Sequence, residues 1–174
     1  TGSLGALLNT SATAASYAGA ITLGSDSTVG GSGGGITLGN TISGNFGLNK
    51  VGSHTLTLSG ANTYTGNTAI NAGTLSIASD GNLGATSGGL VFGGGNLTLT
   101  GSTAFSSART LAVNAATTIN NNSAGATFSG ALSGSGNISV INVSNALASG
   151  YFSSAAPTVI ANNTTVAQLL TSGL

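Results

Sequence analysis

The sequence contains no cysteine, a single proline and almost no charge. Its 174 residues include two Asp or Glu residues, two Lys or Arg residues and one histidine. Without cysteine the chain forms no disulfides and no sulfur-ligated metal sites, and it has no thiol nucleophile. Two cations cannot neutralise the row of phosphates that a nucleic acid presents. The composition therefore predicts a protein that binds no nucleic acid and is stabilised by packing.

Long hydrophobic runs are also missing. No stretch approaches the roughly 18 apolar residues that a membrane-spanning helix needs, so we expect no membrane insertion. The formal net charge is zero, which removes the self-repulsion that keeps soluble domains apart. We therefore expect that copies of this chain associate with one another.

Short runs that alternate apolar and polar residues are abundant, and Gly, Asn, Ser and Thr separate them. Such alternation places both apolar side chains on one face of a β-strand. The runs recur on average about every 20 residues, which is the length of one solenoid coil. The apolar pairs are Ile21/Leu23, Ile36/Leu38, Leu56/Leu58, Leu75/Ile77, Leu97/Leu99, Leu111/Val113 and Ile138/Val140.

This pattern favours an all-β fold, a parallel β-helix (β-solenoid), over a meander of hairpins. Hairpins favour Asn-Gly or Asp-Gly turns, and Asp80-Gly81 is the one such dipeptide in the chain. Gly-Asn corners between several short strands in each coil are typical of the parallel fold. The spacing predicts roughly eight coils, stacked about 4.8 Å apart.

The repeat pattern weakens towards both ends of the chain. We therefore expect a solenoid over residues 21–140, with an N-terminal cap or docking segment at 1–20 and a C-terminal one at 141–174. Within the latter, Asn163 as N-cap and Gly173 as stop predict a short helix over about residues 164–170. A cap covers the open edge of the chain's own terminal coil, whereas a docking segment would cover the open edge of a terminal coil in another subunit.

The ionisable residues do not form a recognisable catalytic or metal site. If both sit on one face, Asp26 and Asp80 are predicted to lie about 10–15 Å apart along the solenoid. This is wider than the carboxyl pairs of glycosidases, and the expectation is that both serve corners or caps. His54 is expected to be a corner histidine bonded to the backbone, since no second His or Cys completes a metal site. We predict that the protein is not an enzyme and has no catalytic residue, cofactor or metal.

The aromatic residues and the glycosylation sequons are scattered along the chain. Scatter favours packing in the core and at corners, although stacking of a sugar on Tyr64 stays an alternative. Sequons are expected by chance in a chain this rich in Asn, Ser and Thr. They begin at Asn9, Asn96, Asn121, Asn137, Asn142, Asn162 and Asn163.

Residues 54–84 read HTLTLSGANTYTGNTAINAGTLSIASDGNLG. This stretch resembles the autotransporter-associated β-strand repeat, also called the passenger-associated transport repeat. The matching positions are Thr55 to Gly60, Asn62 to Gly66, Thr68, Ile70 and Asn71 to Leu75. The resemblance implies a right-handed parallel β-helix. It also implies a protein that a Gram-negative-type bacterium secretes or carries on its cell surface. It implies no catalytic residues.

Three functions are compatible with these observations. The leading one is a noncatalytic structural or adhesive module that assembles end to end into fibres or a surface layer and contacts host surfaces, abiotic surfaces or glycans. The second is a spacer fragment of a large autotransporter adhesin passenger. The third is ice binding by outward threonines such as Thr55/Thr57 and Thr98/Thr100, although Ser76 and Ala112 are expected to interrupt that array.

Overall fold

The computed structural model describes residues 6–142 and 159–161. Regular structure in this part of the chain is β-strand, apart from one 3-10 turn at Asp80–Leu83. Every strand pairing is parallel, from the first pair to the last. The prediction of an all-β parallel solenoid is confirmed. No helix in the described ranges is long and apolar enough to cross a bilayer.

Two long parallel sheets form two sides of the solenoid. The seven-stranded sheet contains, in spatial order, β1 (Leu7–Leu8), β4 (Ser27–Gly30), β7 (Leu48–Lys50), β9 (Thr68–Ile70), β11 (Leu90–Phe92), β14 (Leu111–Val113) and β17 (Leu132–Ser133). The eight-stranded sheet contains β2 (Ala15–Tyr17), β5 (Ile36–Leu38), β8 (Thr55–Leu58), β10 (Thr74–Ile77), β12 (Asn96–Leu99), β15 (Thr117–Asn121), β18 (Ile138–Asn142) and β19 (Val159–Ala161).

The third side is shorter and interrupted. It contains two separate two-stranded sheets, β3 (Ile21–Leu23) with β6 (Ile42–Gly44), and β13 (Phe105–Ser107) with β16 (Ala126–Phe128). Between them the chain runs as loops that still stack by backbone hydrogen bonds. Tyr64 N donates to Ile42 O at 3.2 Å, and Ala85 N donates to Tyr64 O at 2.8 Å.

The chain visits the three sides in a fixed order, so each coil contributes one strand to each long sheet. From β1 to β17 it makes about six turns. The predicted number of eight coils is not confirmed, because the described stretch of continuous stacking ends at residue 142.

Apolar side chains of successive coils stack in columns that fill the interior. Leu75 lies in register with Leu56 on one side and with Leu97 on the other, and all three are buried. Full burial of such a side chain stabilises the fold by about 1.5–3 kcal/mol. The period-two pattern therefore produces this core directly, because it points every second side chain inward.

The structure divides the predicted apolar pairs among different sides. Five of them lie on the eight-stranded sheet, but Ile21/Leu23 lies on β3 and Leu111/Val113 lies on β14. The pair that continues the eight-stranded column after Leu97/Leu99 is instead Ile119/Asn121. All three sides use the same alternation, so the alternation alone cannot say to which side a strand belongs.

The solenoid pairing extends into both predicted end segments. β1 and β2 lie within residues 1–20 and pair with β4 and β5 in the same way as the strands that follow. β18 and β19 lie wholly or partly beyond residue 140 and continue the eight-stranded sheet. The capping or docking role of these segments stays a prediction, and the helix predicted at 164–170 lies outside the described residues.

Candidate functional surface

Arg109 is a buried cation whose side chain holds the loop between β10 and β11. It is 2% exposed and makes six hydrogen bonds. Its Nε donates to Asp80 Oδ1 at 2.8 Å, and Nη2 donates to Asp80 Oδ2 at 3.1 Å. The other bonds reach the carbonyl oxygens of Asp80, Gly84, Ala85 and Gly88.

This geometry assigns a structural role to both partners. A guanidinium buried without partners would be costly, but here the paired carboxylate and the loop carbonyls satisfy its donors. Asp80 is the first residue of the 3-10 turn, but Ser79 is the N-cap, and the Asp80 carboxylate instead forms an ion pair with Arg109 that the sequence did not indicate. The loop from residue 80 to residue 88 is consequently anchored to the next coil.

Asp26 lies at another corner and accepts a hydrogen bond from Gly47 N at 2.7 Å. Asn67 Oδ1 accepts a hydrogen bond from Gly89 N at 2.9 Å in the equivalent corner two coils further along. An amide thus performs two coils later the same backbone contact as the Asp26 carboxylate. The two aspartates are each engaged in structural contacts, and the described residues contain no group of three His, Cys, Asp or Glu side chains that could hold a metal ion.

Lys50 ends β7 and points into the fold. Its side chain is fully buried, and Nζ donates to the carbonyl oxygens of Val51 and Gly52 at 2.8 Å and of Ala72 at 3.1 Å. Three carbonyls therefore use the three N–H donors of the ammonium, and Ala72 belongs to the next coil. Burial lowers the pKa of Lys50 from 10.5 to about 8.

His54 lies at the same corner, just before β8. Its Nδ1 is 3.0 Å from Gly31 O in the preceding coil, which confirms the predicted corner histidine bonded to backbone. Burial and the nearby charge of Lys50 lower the pKa of His54, while the hydrogen bond to Gly31 opposes them. Residues of three successive coils therefore meet at this corner, which we call the Lys50–His54 corner.

We expect the stability of the protein to rise and then fall between pH 8 and pH 12. Between about pH 8 and 10.5 folded Lys50 releases its proton while the unfolded chain keeps it, so the free energy of unfolding increases with pH. Burial raises the pKa of Tyr64 from 10.0 to about 12, so above pH 10 the unfolded chain ionises first and stability decreases. Each slope is at most about 1.4 kcal/mol per pH unit.

Urea unfolding at a series of pH values checks this profile. Lys50→Met should remove the rising limb, and Tyr64→Phe should remove the falling limb. Constant stability of the unsubstituted protein from pH 8 to pH 10 would contradict the assignment to Lys50.

Most of the aromatic side chains in the described part pack in the interior. Tyr64 is fully buried, and its hydroxyl lies 2.6 Å from Thr68 Oγ1. Tyr64 is therefore inaccessible for sugar stacking, and the predicted core packing is confirmed for it. Phe105 and Phe128 pack against each other from neighbouring coils, with ring centroids 5.3 Å apart and planes tilted by 44°. Tyr17 and Phe46, by contrast, are exposed.

The outward face of the eight-stranded sheet is a regular array of small polar side chains. One column, in register from coil to coil, contains Ser16, Thr37, Thr57, Ser76, Thr98 and Asn120. Ser76 interrupts the run of accessible threonines in this column as predicted, since it is only 9% exposed, but Ala112 does not, because Ala112 belongs to β14 of the other sheet. The face bears hydroxyl and amide groups without charge. Ice binding stays a prediction.

The sequons differ in their accessibility. Asn9 and Asn121 are buried, and both side chains hydrogen-bond to backbone nearby. Asn96 is half-buried and accepts a hydrogen bond from Thr118 N. Asn137 is exposed. The side chains of Asn142, Asn162 and Asn163 lie outside the described set.

The N-terminal end of the solenoid exposes apolar groups. β1 and β2 each pair on one side only within the described part of the chain. Leu7 and Leu8 are 37% and 38% exposed, and Tyr17 is 50% exposed. Next to them an apolar cavity of about 390 Å³ opens, lined in part by Leu7, Tyr17, Ile21, Leu23 and Val29. This end, which we call the N-terminal rim, combines free strand edges with an accessible core.

Comparison with known proteins agrees with the repeat identified in the sequence. Residues 48–77 match the family model of the passenger-associated-transport-repeat. A stretch of 56 residues, 32% of this chain, is 50% identical to the adhesin BmaC autotransporter of Brucella suis biovar 1 (strain 1330) and spans 2% of that protein. No solved structure matches the chain. The chain therefore carries a passenger-associated transport repeat, which extends over β7, β8, β9 and β10.

Proposed function

We propose that this β-solenoid is a noncatalytic structural and adhesive module of a secreted or cell-surface protein of a Gram-negative bacterium. The observation that carries the proposal is the passenger-associated transport repeat at residues 48–77. The stretch of 56 residues that is 50% identical to an autotransporter adhesin supports it. The matched range includes Lys50 and His54, so the repeat supplies the coil that contains the Lys50–His54 corner.

The surface chemistry supports adhesion by many weak contacts. Each of the four charged side chains of the chain hydrogen-bonds within the fold. What the eight-stranded sheet offers to a partner is a column of hydroxyl and amide groups at the regular spacing of stacked strands, about 4.8 Å. Such a face suits hydrogen bonding to neutral surfaces, glycans among them.

A spacer role is the alternative within the same class of protein. The matching stretch spans 2% of the adhesin's length, so in that relative the repeat is one small part of a very long chain. In a spacer the solenoid would hold a separate binding domain away from the cell. The intact mass of the protein from its native source separates a free subunit from a fragment of this kind.

We also propose that copies of the solenoid join end to end through the N-terminal rim. All strand pairs in the described part of the chain are parallel, so the free edges of β1 and β2 can pair with the far end of a second copy and continue the same sheets. Head-to-tail contacts that add each copy along the solenoid axis do not close into a ring, and they therefore produce filaments. The absence of net charge leaves no repulsion against such stacking.

Lysine substitutions at the rim test end-to-end association. We expect the double variant Leu7→Lys, Leu8→Lys to be monomeric under conditions in which the unsubstituted protein forms large assemblies, because each lysine would bury a charge in the joint. Sedimentation velocity and electron microscopy measure the assemblies.

Phe46→Lys is the matched control, since Phe46 is 39% exposed but lies at a corner away from the rim. The control should assemble normally. Assemblies that persist in the double variant, or an unsubstituted protein that stays monomeric at high concentration, would refute end-to-end association while leaving the adhesive role of the repeat untouched.

A further inference from the structure

His54 is a buried imidazole with one satisfied nitrogen and one without a partner. It is 6% exposed, and its Nδ1 lies 3.0 Å from Gly31 O. A carbonyl oxygen can only accept, so Nδ1 must carry the proton and the neutral ring has its lone pair on Nε2. Among the described residues no group hydrogen-bonds to Nε2.

The surroundings of His54 contain a second cation and no compensating acid. Lys50 lies at the same corner, and its three donors are already bound to carbonyl oxygens. From the preceding coil the corner meets Gly31, and from the following coil it meets Ala72 and Gly73, none of which titrates. The carboxylates of Asp26 and Asp80 are engaged with Gly47 and Arg109.

We propose that the Lys50–His54 corner is an acid-sensitive latch, in which protonation of His54 Nε2 opens the contact between three successive coils. The added proton creates a buried N–H donor with no acceptor and a second positive charge beside Lys50. A buried charge without a partner is among the most destabilising features that a fold can contain. The corner relieves it by exposing the imidazole to water.

Opening would be local because the hydrogen bonds at this corner join only the three coils that meet there. Thr74 N donates to His54 O at 3.3 Å, and Val51 N donates to Val29 O at 2.9 Å. These amides join the corner to the coils after and before it. Backbone bonds far along the solenoid, such as Leu111 N to Ala131 O at 2.8 Å, do not involve the corner.

The direction of the pH dependence follows from the environment of the ring. Burial and Lys50 lower the pKa of His54 below its ordinary 6.5. Below pH 6.5 the unfolded or opened chain therefore binds the proton more readily than the closed corner, and stability is lost as the pH falls. Each pH unit between the two pKa values shifts the opening equilibrium by up to about tenfold.

The chain has a single histidine, so its NMR titration is assigned without ambiguity. We expect a midpoint below 6.5 and the Nδ1–H tautomer from ¹⁵N shifts at pH 8. In Lys50→Met the midpoint should move upward, because a neighbouring positive charge is removed. A midpoint at or above 6.5 in the unsubstituted protein, or the Nε2–H tautomer, would overturn the proposal.

Hydrogen exchange shows whether the corner opens. After correction for intrinsic rates, protection of the Val51 and Thr74 amides should fall several-fold between pH 7.5 and pH 5, while Leu111 keeps its protection. His54→Asn, which retains an amide donor for Gly31 but does not titrate, should show no such fall. Equal losses in His54→Asn and the unsubstituted protein would refute the latch, and the NMR titration decides the matter should the variant not fold.

Discussion

Replacing Arg109 with methionine should lower the free energy of unfolding by about 3–5 kcal/mol. Methionine fills much of the same space but donates none of the six hydrogen bonds that the guanidinium makes. The carbonyl oxygens of Gly84, Ala85 and Gly88 would lose their charged donor, and the Asp80 carboxylate would stay without its cation. Urea unfolding at pH 7 measures the effect.

Two further variants separate the charge of Arg109 from its shape. Arg109→Lys keeps the charge but offers a single nitrogen in place of the planar fork, so an intermediate loss is expected. Asp80→Asn removes the ion pair and keeps an acceptor, and its loss should be smaller because the Asp80 side chain is 20% exposed. If Arg109→Met lowers the free energy of unfolding by less than about 1 kcal/mol, the hydrogen bonds of Arg109 to the loop do not contribute to stability as described.

The second large effect is expected for Gly73→Ala, at about 3 kcal/mol or more. Gly73 has φ 65°, a left-handed conformation that costs an L-residue about 1–2 kcal/mol. A Cβ at this position would also lie 2.6 Å from His54 O and 2.8 Å from Lys50 Nζ. The substitution therefore combines backbone strain with displacement of the buried ammonium.

Gly81→Ala is the matched control for this substitution. Gly81 lies in the same coil, in the 3-10 turn after β10; it is exposed, and the nearest atom to an added Cβ is Ser79 Oγ at 3.8 Å. We expect a change within about 0.5 kcal/mol, as for most surface substitutions. Thermal and urea unfolding of both variants measure the difference. Equal losses at the two positions would show that the close approach at residue 73 is not what makes glycine necessary there.

The fold was predictable from the sequence to the level of its repeating coil. Leu56, Leu75 and Leu97 are recognisable as inward-facing residues because period-two alternation depends only on the strand that contains them. Their stacking in register follows from repetition. The parallel arrangement of the strands could also be predicted, since it follows from the scarcity of hairpin turns and from the family resemblance.

The candidate sites were less predictable. The corner role of His54 was predicted, but its partner Gly31 and its neighbour Lys50 were not. Which residues of adjacent coils meet depends on the number of residues in each corner, and this number varies. Arg109 and Asp80 are 29 positions apart, more than the usual coil of about 20 residues. Only the loop at residues 80–88 explains how they meet. For Tyr64 the sequence favoured core packing but left sugar stacking as an alternative, and only the neighbouring coils show that the ring is fully buried.

By itself, then, the sequence determined the strands, the uncharged surface and the repeat, since these follow from local alternation and from composition. The tertiary structure alone decided which side each strand occupies, that Arg109 clamps the loop at residues 80–88, and that Lys50 and His54 share one buried corner. The physical reason is the range of the interactions. Alternation acts within a few residues, whereas burial and pairing of a polar group depend on which residues the neighbouring coils place against it.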